Sequence, residues 1–227
     1  MATVALAGST GLVGSHILDT LSKYAGVQEI YAFARKDLPE HTKLKPLISS
    51  DSASWAAKYP NGAPLFISAL GTTRANAGGF ENQRKIDYDL NLALAKAAKD
   101  AGAKAYVLVS SSGANSASMS GYMKMKGELE DAVKALDFDH TVIMRPGLIV
   151  GDRNEMRSAE FVMRKTAGFL GSISGGKLKD FWAQDADVIA KAAVKAGLDC
   201  LDGKITDKVT MVYQADVIRL GKTEWRA

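Results

Sequence analysis

A glycine-spaced loop near the start of the chain, Gly8-Ser9-Thr10-Gly11-Leu12-Val13-Gly14, constrains the fold more than any other feature. It follows a β-branched and apolar run, Thr3–Ala7, that reads as a buried strand. It opens a segment, Leu12–Tyr24, whose apolar residues Val13, Ile17, Leu18 and Leu21 recur at helical spacing, with Gly26 as the expected stop. Strand, glycine turn and helix in that order begin a βαβ unit. There Gly8 permits the tight turn, Gly11 lets backbone approach a pyrophosphate, and Gly14 lets helix and strand pack closely. Ser9, Thr10, Leu12 and Val13 complete the loop, and the helix N-terminus presents N–H donors and a positive dipole end to an anion. A glycine cluster in a turn is weak by itself; its place between strand and helix gives it weight.

The alternation continues. Glu29–Ala34 reads as a second strand, Lys43–Ile48 as a third whose Pro46 suits a sheet edge, and Ser54–Lys58 as a short helix. Pro64–Leu70 is a fourth, fully buried strand. Gln83–Ala101 is a long helix with Ile86, Leu90, Leu94 and Ala97 as its buried stripe and Gly102 as its end. Ala105–Val109, Gly121–Leu136 and Thr141–Met144 follow as strand, helix and strand, stopped by Arg145-Pro146-Gly147. The order β-α-β-β-α-β-α-β-α-β predicts an α/β fold, a doubly wound parallel sheet with right-handed crossovers. Beyond Gly147 the pattern loosens: Ala159–Ala167 and Ala186–Ala196 look helical, Gly168–Asp180 is rich in glycine, serine and lysine, and Lys208–Tyr213 reads as a late strand.

Composition narrows the class. At 227 residues the chain suits one domain, given about 150 residues per domain. Its 47% hydrophobic and 24% charged residues exclude a disordered or fibrous chain. No apolar run approaches the ~20 residues of a membrane-spanning helix. One cysteine, Cys200, excludes an internal disulfide framework, fits a reducing compartment and reads as a packing residue. The net charge of +4 is scattered rather than striped, so nucleic acid is not an expected partner. The N-terminus resembles neither a secretory signal nor a transit peptide. His16, His41 and His140 lack partners at metal-ligand spacing, so no metal is expected.

The end of the second strand selects the cofactor. A chain that reads NAD usually has Asp or Glu there, ~20 residues beyond the glycines, to take the ribose 2′-hydroxyl. Here Ala34 is followed by Arg35-Lys36. A guanidinium pairs with a 2′-phosphate through planar, charge-assisted bonds, so NADPH is expected, with Arg35 as main contact and Lys36 in support. Asp51, past the third strand, could meet the adenine edge or cap the following helix.

Tyr122 and Lys126 lie four apart on a predicted helix, hence on one face. A phenol with pKa near ~10 is a poor acid or base at neutral pH. A neighbouring ammonium and an oxidised nicotinamide would favour its phenolate. Lys126 could also bond the nicotinamide ribose. Ser110-Ser111-Ser112 ends the fifth strand, at the sheet edge where ligands bind. A serine there could polarise a carbonyl oxygen while the tyrosine delivers the proton.

Taken in order, these stretches resemble an atypical short-chain dehydrogenase/reductase, most closely the fungal mitochondrial-outer-membrane proteins akin to Tat-interacting oxidoreductase-like proteins. The resemblance is carried by Gly8–Gly14, the run from Ala69 to Arg74, the run from Lys85 to Asn91, Val109–Ala114, Tyr122–Glu128 and Arg145–Gly147. It implies a Rossmann fold binding NADPH, with Tyr122 as acid/base, Lys126 as its partner and Ser111 as the carbonyl-orienting serine. Leu70, Gly71 and Thr72 would line the cofactor, and Pro146, Gly147 and Leu148 would lie beside the nicotinamide. Leu70-Gly71-Thr72 replaces the usual Asn-Ala-Gly, which leaves the role of Asn91 open.

The expected reaction is hydride transfer from NADPH to a small-molecule aldehyde or ketone. Reduction of an activated double bond in an enal or enone would use the same cofactor geometry. A rival from another class is a non-catalytic, NADPH-binding regulatory protein, which needs only the glycines and Arg35. Residues 1–147 are expected to be the cofactor core and 148–227 a small C-terminal substrate lobe. Phe161, Phe169, Phe181 and Trp182 are candidates for its wall, and Met119, Met123, Met125 and Met156 for a soft apolar pocket. A monomer or homodimer is expected, cytoplasmic or peripheral on the mitochondrial outer membrane.

Overall fold

The computed structural model describes residues 1–151 and 183–226. Seven parallel strands form one sheet: β1 (Ala2–Ala7), β2 (Val27–Ala34), β3 (Leu44–Ile48), β4 (Leu65–Ser68), β5 (Ala105–Val109), β6 (His140–Met144) and, at the far edge, Val209–Val212. Two short strands, β7 (Leu148–Val150) and β8 (Ala183–Asp185), pair apart from it, so the edge strand Val209–Val212 is β9. The main sheet runs β3-β2-β1-β4-β5-β6-β9. Its order reverses between β1 and β4, which opens the crevice where a doubly wound sheet binds its ligand. The proline-containing β3 is an edge strand, as Pro46 predicts.

The period of a strand divides the core in two. In β1, Val4 and Leu6 face one layer while Ala5 and Ala7 face the other. The first layer holds α1 (Leu12–Lys23) and a late alanine-rich helix, Ala186–Leu201. The second holds α3 (Asn91–Asp100), α4 (Gly121–Lys134) and the buried rings of Phe33, Phe66, Tyr106 and Phe138. Each fully buried side chain of this size stabilises the fold by about 1.5–3 kcal/mol.

The late helix, α5 (Ala186–Leu201), begins the return of the chain after residue 147. It packs against α1, β4, β5 and β6, while β9 pairs with β6. Part of the expected substrate-side region therefore belongs to the sheet's own layers. A short α6 (Gln214–Ile218) follows β9. Helix Ala159–Ala167, Gly168–Asp180, Met156 and the aromatic wall Phe161, Phe169, Phe181 and Trp182 lie outside the described residues.

Three local expectations are corrected. The expected helix Ser54–Lys58 is two short 3-10 turns, Ser52–Ser54 and Ala56–Lys58. Helix α1 ends at Lys23, where Tyr24 turns extended, so Gly26 is not its stop. The long helix is interrupted: α2 (Phe80–Arg84) and α3 are joined by a π-helical segment, Lys85–Leu90. The wider π turn inserts residues relative to a 3.6 period and rotates the buried face. Ile86 and Ala97 are therefore only half-buried, while Asp87, Asn91, Leu94 and Ala98 turn inward.

Candidate active site

The glycine loop stands at the carboxyl end of β1, beside the loop that follows β4. Gly8 has φ +85°, a conformation side chains resist, and a Cβ there would meet Ala69 O at 2.5 Å. A Cβ at Gly14 would lie 1.9 Å from Gly8 O, so α1 can start this close to the loop only without one. The α1 N-terminus carries no acidic residue in its first turn, and Gly11 supplies no side-chain cap. Its N–H groups are thus left for an external anion. Ser9 is buried and donates its hydroxyl to Phe33 O at 3.1 Å, which ties the loop to the end of β2. Thr10 and Gly11 are exposed, Leu12 is half-buried and Val13 is in the core.

Arg35 and Lys36 are exposed where β2 ends, one strand from the glycine loop. Asp51 takes the capping alternative: its carboxylate accepts the Ala53 N–H at 3.0 Å. The cofactor-side edge of this chain is therefore a basic patch and an uncapped helix start around a tight glycine turn. These features fit a phosphorylated dinucleotide.

Four buried polar groups fix the backbone of the next loop, Leu70-Gly71-Thr72. Asn91 donates to Leu70 O at 3.1 Å and accepts the Ser68 hydroxyl. Gln83 donates to Thr72 O at 3.1 Å, and Asp87 accepts the Thr72 N–H at 2.6 Å. Asn91 is thus a scaffold for the loop. Asp87, only 2% exposed, is one of the residues that sequence reasoning missed. Its signal was present, since Asp87 and Asn91 are four apart, but a regular helix with Ile86 inward leaves no reason to choose that face.

Helix α4 brings Tyr122 and Lys126 to this loop. Lys126 is 4% exposed and donates to Val109 O at 3.3 Å. Burial lowers its pKa, and the charges of Asp87 and Glu130 oppose that fall. Burial likewise raises the pKa of Asp87, against Lys126, the Thr72 N–H and Gln83. Tyr122 keeps 38% of its surface exposed. Burial of the remainder, and secondarily the charge of Asp87, push its phenol above the ordinary value. The rise comes chiefly from burial, and the Lys126 ammonium is directed to Val109 O. The expected lowering by Lys126 together with an oxidised nicotinamide concerns the cofactor-bound site.

The three serines after β5 separate by environment. Ser110 is buried and donates its hydroxyl to Glu130. Ser111 is half-buried and Ser112 exposed. The Ser112 N–H donates to Pro146 O at 3.0 Å, which places Ser111 next to the Pro146-Gly147-Leu148 loop. Glu130, 1% exposed, also accepts a two-pronged ion pair from Arg145, with Nε at 3.1 Å from Oε1. Gln184, fully buried on β8, accepts the Gly147 N–H at 2.6 Å. Neither Glu130 nor Gln184 was singled out from sequence. Glu130 continues the Tyr122, Lys126 spacing and was within reach; Gln184 is 37 residues from its partner and carried no signal.

Among the described residues, the expected pocket methionines separate: Met125 is in the core, Met119 fully exposed and Met123 half-buried. Cys200 is buried, which pushes its thiol up to about 12 and leaves it a packing residue. A cavity of about 500 Å³ lined by Met1, Tyr24, Lys104, His140 and Cys200 opens at the amino ends of the strands. Another, of about 540 Å³, lies in the β2–β3 connection between Leu38 and Pro46. Both are away from the Tyr122–Lys126 face, which we weigh above them because ligands of such sheets bind at the strands' carboxyl ends.

Comparison with known proteins decides the family. The HIM1 family model matches residues 61–174. The protein fmp52, mitochondrial, of Aspergillus niger is 52% identical over 98% of this chain and 99% of its own length. The chain belongs to the fmp52 family. Its Neurospora crassa member, also named mitochondrial, is 42% identical over 99% of this chain and 97% of its own length. Among solved structures, MoeE5 in complex with UDP-glucose and NAD superposes with TM-score 0.69 at 14% identity, covering 98% of this chain and 82% of its own. A short chain dehydrogenase family protein from Francisella tularensis gives 0.66 at 12%, covering 95% of this chain and 98% of its own. These bear out the doubly wound Rossmann fold expected from the sequence. Among the described residues, no helix of the chain is long and apolar enough to cross a membrane.

Proposed function

We propose that this chain is an NADPH-dependent reductase of a small aldehyde or ketone. One observation carries the reading. Asp87, which accepts the Thr72 N–H of the loop expected to line the cofactor, lies on the π segment against which α4, the helix of Tyr122 and Lys126, packs. This packing supports a reading in which that loop and the proposed acid serve one site.

In this reading Gly8, Gly11 and Gly14 admit the pyrophosphate to the α1 N-terminus, and Arg35 and Lys36 take the 2′-phosphate. Leu70, Gly71, Thr72, Pro146, Gly147 and Leu148 line the nicotinamide half. A bound NADPH supplies the hydride for the carbonyl carbon. Ser111 donates a hydrogen bond to the carbonyl oxygen and holds it in place. Tyr122 gives its phenolic proton to that oxygen as negative charge develops there. The resulting phenolate is reprotonated from solvent, and the exposed part of Tyr122 gives it access. Lys126 is the partner of Tyr122 in this reading and binds the ribose. In this reading residues 1–147 hold the cofactor. The names of the relatives support a mitochondrial location, which a chain docked at the membrane surface would satisfy.

The test is NADPH consumption at 340 nm against a panel of aldehydes, ketones and enals. Turnover of a saturated carbonyl supports the reading. Turnover confined to enals, with a saturated aldehyde as product, reassigns the reaction to the double bond. Tight NADPH binding with no turnover on any member supports a cofactor-dependent regulatory protein.

A further inference from the structure

We infer that Glu130 is a positioning residue that sets Ser111 against Tyr122, by locking the serine-bearing end of β5 to the helix that carries the tyrosine. The inference rests on the roles proposed for Ser111 and Tyr122, and adds the device that holds the two in place.

Tyr122, Lys126 and Glu130 follow at intervals of four on α4, so they share one face of the helix. Lys126 donates to the carbonyl of Val109, the last residue of β5, at 3.3 Å. Glu130 accepts the hydroxyl of the next residue, Ser110. It also takes the guanidinium of Arg145, which follows β6, with Nε 3.1 Å from Oε1 and 3.2 Å from Oε2. One carboxylate, 1% exposed, therefore ties α4 to the ends of two neighbouring strands. Ser111 is bracketed by residues that are themselves held. The Ser110 N–H donates to Met144 O at 2.8 Å, and the Ser112 N–H to Pro146 O at 3.0 Å. The Ser111 carbonyl accepts the Ala114 N–H at 3.0 Å. The backbone of Ser111 is thus fixed by β6 and its following loop on one side, and by Glu130 through Ser110 on the other.

Stability alone does not call for this arrangement. Well-packed apolar side chains would hold α4 on the sheet at least as firmly as a buried ion pair, whose desolvation offsets much of its attraction. A carboxylate gives what an apolar group does not, namely direction. Its two oxygens dictate where the Ser110 hydroxyl and the Arg145 fork sit relative to the helix. The proposed reaction needs that, because the Ser111 hydroxyl and the Tyr122 phenol must reach the same carbonyl oxygen from different elements. A misplacement of about 1 Å in such a group can cost about 10²-fold in rate. Glu130 stands two helical turns beyond Tyr122, about 11–12 Å along the axis, so it acts through Ser110 and the helix rather than on the substrate.

Glu130→Gln strips Arg145 of its counter-charge and risks failing to fold, so Ser110→Ala is the sharper variant. It cuts the tie between α4 and the serine loop and leaves the Glu130–Arg145 pair whole. On an accepted carbonyl at saturating NADPH, Ser110→Ala should lower turnover by about 10- to 100-fold with NADPH affinity unchanged. Where Glu130→Gln folds, adding Ser110→Ala to it should deepen the loss by less than Ser110→Ala costs alone, because both break one link. A merely structural role would lower stability and leave the turnover of folded protein alone. Turnover of folded Ser110→Ala equal to the wild type therefore overturns the inference, and so does a loss of turnover matched by a loss of NADPH affinity. Amide hydrogen exchange reads the same link without a substrate: protection of the Ser112 N–H should fall in Ser110→Ala while the amides within β5 and α4 keep theirs. If the protein reduces no carbonyl, the reductase reading fails by itself. A fall in Ser112 protection then leaves the lock on the serine loop standing, and unchanged protection overturns that as well.

Discussion

Arg35, at the end of β2, and Asp87, which holds the Thr72 N–H, differ in how they could be found. Arg35 follows the last residue of β2, a place fixed by the chain order, so its role could be argued from sequence alone. We expect Arg35→Ala to weaken NADPH binding by roughly 10- to 100-fold, the scale of losing charge-assisted bonds to a phosphate, and to leave NADH nearly unchanged. Fluorescence titration with both cofactors measures this; equal losses would remove the 2′-phosphate assignment. Asp87 was hidden because sequence periodicity assumes one helical period. A single π turn changed which of Ile86 and Asp87 points inward. Ser111 was separable from its neighbours by resemblance, but the engagement of Ser110 with Glu130 became visible only with α4 in place.

At the scale of elements, α4 is the strut of the candidate site. Along one face it presents Tyr122, Lys126 and Glu130, and the last two grip the ends of β5 and β6 through Val109, Ser110 and Arg145. Removing Glu130 would leave the Arg145 guanidinium without its carboxylate and the Ser110 hydroxyl without its acceptor. Breaking a buried pair on one side costs about 3–5 kcal/mol, so Glu130→Ala should be destabilised on that scale in chemical denaturation. Loss of less than about 1 kcal/mol would show that the pair behaves as an exposed one. The strands and most helices were legible because alternation of apolar residues and glycine turns are local signals. The small strands β7 and β8 were not, since three-residue elements carry too little pattern and pair across residues distant in sequence.

For the whole molecule, the sheet order 3-2-1-4-5-6 with β9 at its edge brings the glycine loop, the loop after β4 and the serines after β5 to the carboxyl ends of the strands. That convergence was predictable from the βαβ order, because right-handed crossovers leave one topology. The course of the chain after Gly147 was less so. Helix α5 is nearly all alanine and aliphatic on its buried side, a composition that suits any close-packed layer and does not name the one it joins. If the chain associates with mitochondria, its attachment should be peripheral. Alkaline carbonate should therefore release it from isolated mitochondria into the supernatant; retention in the membrane pellet would require an integral anchor.

The central claim is that Tyr122 supplies the proton in an NADPH-dependent reduction. Its most direct test is the turnover number of Tyr122→Phe against wild type on an accepted carbonyl at saturating NADPH, with cofactor affinity measured in parallel. The account predicts a loss of about 10²- to 10⁴-fold in turnover, the usual contribution of a general acid, with NADPH affinity unchanged. Turnover equal to the wild type would contradict it.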